Sequence, residues 1–172
     1  MADLWNDVLL QQYEASLSTL NHCIVKSPEA AWQGQVVNLT FDQAVFHTLF
    51  FTDYYLCRWP EDFKQQNYHR QRADFFADYE EMEPRRQVQR YTKQSLDDYL
   101  QFCRMKAKEV LIAETAVDLA APCEFPPKTF SRAELHVYNV RHIQHHAAQL
   151  IMRLRMDYQA DVPWFGSGWR EI

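Results

Sequence analysis

The amino-acid sequence predicts an all-α fold, an up-down four-helix bundle with a long connection between its second and third helices. Three observations carry this expectation. Apolar residues recur three or four positions apart in four separate stretches, the spacing that lines one face of an α-helix. Only Gly34, Gly166 and Gly168 supply glycine in 172 residues, too few turn signals for an all-β chain. Hydrophobic residues make up 47% and aromatic residues 15%, which is enough to build a core and excludes a disordered chain. The length suits a single domain over 1–172, and a domain near that size buries about 70% of the surface its unfolded chain exposes.

The first helix is expected over 4–24, where Leu9, Tyr13, Leu17, Leu20 and Ile24 share a face. The second, over 40–58, opens on a capping box of Thr40 and Gln43 and stops before Pro60. Residues 60–93 are polar, rich in aromatics and without a clean period, so they read as a long connection containing short helical pieces. A connection of that length inside one domain is often functional, which places it over a site. The third helix is expected over 95–116, from Ser95 and Asp98 through Leu100, Cys103, Ala107 and Leu111. The fourth, over 131–158, opens on Ser131 with Glu134, and Pro126 and Pro127 prevent it from continuing the third. Beyond it, Trp164, Phe165 and Trp169 are expected to fold back onto the bundle.

The net charge is −5, and the densest basic group, Arg85, Arg86 and Arg90, directly follows Glu80, Glu81 and Glu83. A duplex-binding face needs clustered cations to neutralise phosphates, so nucleic acid is not the expected partner. No apolar run approaches the roughly 20 residues that cross a bilayer. Asp3, Asn6 and Asp7 interrupt the first apolar residues, unlike a signal peptide, and a cytoplasmic location is expected. Cys23, Cys57, Cys103 and Cys123 are far apart with no C-x-x-C pair, which reads as free, largely buried thiols.

The histidines carry the chemistry. The stretch Arg141-His142-Ile143-Gln144-His145-His146 offers two pairs at helical spacing, His142 with His145 or with His146. On a wheel of about 100° per residue, Val140, Ile143, Ala147, Leu150, Ile151 and Leu154 form the apolar stripe. His142 and His146 border that stripe, whereas His145 falls nearly opposite, in solvent. The pair four apart is therefore the expected one. A third ligand is needed, and His47 sits in the aromatic run of Phe41, Phe46, Phe50, Phe51, Tyr54 and Tyr55 on the second helix. Buried there without a partner it would cost roughly 1–3 kcal/mol. Three neutral imidazoles from two helices leave a coordination position open, the pattern of a catalytic rather than a structural site. Asn139 and Gln149 share their side of the helix and are placed to orient the rings. His136 falls within the stripe and reads as a satisfied core histidine, while His22 and His69 read as surface residues.

Two familiar metal patterns are absent. A zinc-protease motif needs Glu directly after the first histidine, where Ile143 stands, and a di-iron bundle needs Glu three residues before it, where Asn139 stands.

With these residues, Phe46-His47-Thr48-Leu49 and Tyr138-Asn139-Val140-Arg141-His142-Ile143-Gln144-His145-His146-Ala147-Ala148-Gln149-Leu150, the chain resembles the DinB-like family of metal-binding four-helix bundles. The helix order and the proline-rich approach to the fourth helix agree over nearly the whole chain. The resemblance implies a metal bound by three histidines, matching His47, His142 and His146, and usually a homodimer. The expected cofactor is one divalent ion, zinc or nickel ahead of iron or manganese. Imidazole donors also suit copper. Relatives include metal-dependent transferases and isomerases that use low-molecular-weight thiols such as glutathione, mycothiol or bacillithiol. Ala148 stands where many members carry Gly.

Two functions follow as expectations. The first is a metal-dependent enzyme, such as a thiol-dependent transferase or a hydrolase, acting on a small molecule. The alternative is a non-catalytic metal-binding or stress-response protein. Asp53, Tyr54 and Tyr55 lie about two turns beyond His47, but nothing in the sequence aims them at an ion, so no catalytic base is assigned.

Overall fold

Local capping sets where the long helices begin. The backbone N–H of Thr40 donates to Gln43 Oε1 at 3.1 Å, as the capping box requires, and the N–H of Glu134 donates to Ser131 Oγ at 3.1 Å. In the computed structural model, which describes residues 2–171, the chain is mostly helical. It begins with α1 (Ala2–Lys26), α2 (Glu29–Trp32) and a two-stranded antiparallel hairpin, β1 (Gln35–Val36) with β2 (Leu39–Thr40). There follow α3 (Phe41–Leu56), α4 (Asn67–Arg70), α5 (Ala73–Phe76), α6 (Lys93–Ala113), α7 (Ala116–Ala120) and α8 (Arg132–Tyr158). A tight 3-10 turn at Pro60–Gln65 and a turn over Ala77–Met82, left-handed at its start, complete the connection between α3 and α6.

Each of the four long helices supplies one apolar face. Tyr13, Leu17 and Leu20 of α1, Leu49 and Phe50 of α3, Leu100 and Cys103 of α6, and Ile143 and Leu150 of α8 are fully buried. α1 and α3 each pack against both α6 and α8, so the core lies between them. Fully burying one such side chain stabilises the fold by roughly 1.5–3 kcal/mol relative to leaving it exposed. All four cysteines are free and buried. Among the described residues no helix is long and apolar enough to cross a membrane.

Several boundaries and burials differ from the sequence reading. α6 starts before Ser95, because Thr92 caps it: the Ser95 N–H donates to Thr92 Oγ1 at 3.1 Å. It ends at Ala113, and Thr115 then caps the separate α7. His22 and His69 are buried, not on the surface. The segment after α8 covers His22, with Phe165 4.6 Å away between ring centroids, and His69 is sealed beneath the folded connection. That closing segment does pack back, since Trp169 lies under Arg104 and the Gly168 N–H donates to Gln11 O at 3.0 Å, but Trp164 is exposed.

The C-terminal end of the connection is tied to the first turns of α3. The Asp42 carboxylate, at the start of α3, accepts two bonds from the Arg90 guanidinium, both at 2.9 Å, and a third from the Tyr91 N–H. Gln43 Nε2 donates to the carbonyls of Gln87 and Gln89. Further along α3, Phe46 stacks on Tyr91 at 4.1 Å. These contacts hold residues 87–91 against the same helix that carries His47.

Candidate metal centre

Two polar side chains of α8 fix its register on α3. Arg132 reaches the C-terminus of α3, donating to the carbonyls of Tyr55 at 2.8 Å, Cys57 at 3.0 Å and Leu56 at 3.2 Å. Two turns on, Asn139 Nδ2 donates to Thr52 O at 2.9 Å. Moving forward along α8 thus matches moving backward along α3, and the next turns bring His142 and His146 level with His47. Asn139 was expected beside the histidines as an orienting donor. The structure instead spends it on the α3 backbone, where it sets the register that brings the three rings together.

His47, His142 and His146 form one cluster in which a ligating nitrogen from each lies within 4.8 Å of the others. Ring centroids are 4.7 Å apart for His47 and His146, 4.7 Å for His142 and His146, and 5.5 Å for His47 and His142. Phe51 closes one side, 4.9 Å from His47 and 5.9 Å from His142. Burial lowers the pKa of His142 to about 3, and the neighbouring rings of His146, His47 and His145 push it the same way. His146 falls to about 4, chiefly by burial and by His47, against the opposing hydrogen bond to Gln149. Both rings are therefore neutral near pH 7, with lone pairs available. His142 Nδ1 is buried without a hydrogen-bond partner, an orphaned atom of the kind an ion would satisfy.

Each of the other two rings has its Nδ1 engaged. His146 Nδ1 lies 3.1 Å from Gln149 Oε1, so Gln149 takes the orienting role expected of it. His47 Nδ1 lies 2.7 Å from Glu81 Oε2. Sequence reasoning missed Glu81, because nothing in spacing links a residue of an aperiodic connection to a helix 34 positions earlier. The one available signal was the length of the connection itself.

The remaining histidines sort as follows. His145 is exposed, with Gln149 Nε2 3.1 Å from its Nε2, and lies outside the three-ring cluster. His136 is a satisfied core residue, held by Tyr13 at 3.1 Å and Glu114 at 2.8 Å. Asp53 faces away from the cluster into a buried network with His69 and Lys106, and Tyr55 packs on Phe125 and Tyr138. An apolar groove of about 600 Å³ lined by Trp5, Leu9, Leu119 and Val137 contains none of the three clustered histidines.

A family model described as the DinB superfamily matches residues 12–150, and the chain belongs to that family. No curated protein and no solved structure matches it.

Proposed function

We propose that His47, His142 and His146 hold one divalent metal ion, zinc or nickel ahead of iron or manganese, in a metal-dependent enzyme that uses a low-molecular-weight thiol. The observation that carries this reading is the convergence of three imidazoles, two of them kept neutral and one with an orphaned buried nitrogen. Three protein donors leave room for an exogenous ligand, which favours catalysis over a closed structural site. A bound ion supplies Lewis-acid chemistry that favours the thiolate form of a thiol or the ionised form of a water. The chain's own contribution is to hold the rings. Glu81 and Gln149 engage two of them through Nδ1, and Phe51 packs against His47.

The same reading takes the four long helices as an up-down bundle forming one domain, the location as cytoplasmic and the assembly as a two-fold homodimer, the last supported by family resemblance. Sedimentation at micromolar concentration checks the dimer. The enzyme is tested by loading the metal-free protein with zinc, nickel, manganese or iron and screening small thiols against electrophiles. Turnover that requires metal supports it. Tight metal binding with no turnover across thiols and electrophiles favours the non-catalytic, metal-binding alternative.

A further inference from the structure

Glu81 reaches His47 by an unusual route. The segment that delivers it contains Ala77, Asp78 and Tyr79, with φ of 41°, 54° and 65°. Three consecutive non-glycine residues in the left-handed region are disfavoured at every step, and such a conformation persists only where its surroundings over-determine it. Anchors stand on both sides. Before and within the turn, Phe76 stacks on His69 at 3.8 Å, and the Tyr79 hydroxyl lies 3.1 Å from His69 Nδ1. After it, Glu80 Oε2 accepts from the Val88 N–H at 2.9 Å and the Gln89 N–H at 3.4 Å. Between these anchors the Glu81 side chain is 2% exposed, with Oε2 2.7 Å from His47 Nδ1. Burying a carboxylate is unfavourable unless it is paired, and the partner it is given is one of the three clustered imidazoles.

We propose that Glu81 is the positioning residue of the metal centre, its carboxylate holding the hydrogen of His47 on Nδ1 so that Nε2 is presented towards His142 and His146. This rests on the metal-centre reading above and deepens it. A carboxylate behind a ligating imidazole fixes the tautomer, aims the ring and raises its basicity, and loss of such a partner weakens metal binding by about 10- to 100-fold. The consequence reaches beyond one hydrogen bond. The connection between α3 and α6 becomes part of the site, because the strained turn at 77–79 determines where the carboxylate stands.

The test is zinc affinity, measured by competition with a chromophoric chelator, for the full chain and for Glu81→Ala, Glu81→Asp and Glu81→Gln. Glu81→Ala is expected to weaken zinc by about 10- to 100-fold while keeping the cobalt-substituted visible spectrum of a three-imidazole site. Glu81→Gln, whose amide oxygen still accepts from Nδ1–H, recovers most of that loss. Glu81→Asp is one methylene too short to reach, falls between them, and carries the test should Glu81→Ala not fold. In the metal-free protein at alkaline pH, ¹⁵N spectra are expected to show His47 as the Nδ1–H tautomer, and Glu81→Ala to mix the two tautomers. Zinc bound by Glu81→Ala as tightly as by the wild type, or more tightly, overturns the positioning role while leaving the metal centre standing. A wild type that takes up no zinc overturns the centre itself and the role with it.

Discussion

Asp53 and His69 meet where no solvent reaches: Asp53 Oδ2 lies 2.7 Å from His69 Nε2, and neither side chain is exposed. The pair joins α3 to the connection that carries Glu81. The same carboxylate accepts from the Tyr99 hydroxyl at 2.9 Å and from Lys106 Nζ at 2.5 Å, so α6 is tied in as well. Burial alone would push the Asp53 carboxyl up, but the hydrogen bond from His69 and the Lys106 ammonium outweigh it and hold it below the usual range.

Asp53→Ala is therefore expected to destabilise the protein by about 3–5 kcal/mol, because it strands the Lys106 ammonium in a largely buried position. Urea unfolding monitored by circular dichroism measures this. A change below about 1 kcal/mol would mean that the network carries no net stability. The sign with pH follows from the depressed carboxyl: its contribution is complete above the unfolded carboxylate range, near 3.9, and disappears as pH falls through the folded value.

For the metal, Ala at His47, His142 or His146 is expected to remove most of the ion from purified protein, since two imidazoles make a weak site. His145→Ala should leave the content nearly unchanged, because that ring is exposed and outside the cluster. Elemental analysis of the wild type and four variants, with folding checked by circular dichroism, decides the matter. Loss of metal from His145→Ala with retention in His146→Ala would contradict the assignment.

The metal-free protein should lose stability in acid from the site itself. His142 and His146 have folded pKa values of about 3 and about 4, against an unfolded value of about 6.5. Between those limits the unfolded chain holds more protons than the native one, so stability rises with pH. It is complete above about pH 6.5 and declines steadily below it. Carboxylates such as Asp53 act in the same direction at lower pH, so comparison with His142→Phe isolates the imidazole. Between pH 7 and pH 5 the variant should lose less stability than the wild type; equal losses would show that His142 takes up its proton as readily in the folded protein as in the unfolded chain.

Arg132→Met tests the register of α8 on α3. The substitution takes the Arg132 donor from three carbonyls at the C-terminus of α3 and from Glu114 Oε1, leaving the Glu114 carboxylate with His136 alone. A loss of about 3–5 kcal/mol is expected in denaturant titration. The zinc affinity of the folded fraction should also fall, because Arg132 and Asn139 align the helices that hold the three rings. An unaltered affinity would mean that Asn139 alone sets the alignment.

Much of the helical core was legible in the sequence because period and caps are local properties. Thr40 with Gln43 and Ser131 with Glu134 announce their helices within four residues, and the wheel separates His146 from His145 without a structure. The boundary near Ser95 was misread because Thr92, Ser95 and Asp98 all suit a helix start, and only the backbone shows which side chain accepts. The burial of His69 and the reach of Glu81 were hidden for a different reason. Both lie in a segment without a period, and their partners, Asp53 and His47, are set by how that segment folds over α3. Asn139 could be placed on the right face but its partner could not be foreseen, because it is a backbone carbonyl of α3, Thr52 O, that carries no signal in the sequence.

The closing segment after α8 has a consequence for the order in which the molecule assembles. The Arg170 N–H donates to Ser18 Oγ, and the Gly168 N–H to Gln11 O, a seam between positions about as far apart in sequence as the chain allows. Joining such distant points forfeits chain entropy before any contact offsets it. The seam closes on α1, and Trp169 beneath Arg104 joins it to α6 as well. It should form late and open early, exchanging its amide hydrogens well before the core amides of α3 and α8, and each opening would uncover His22.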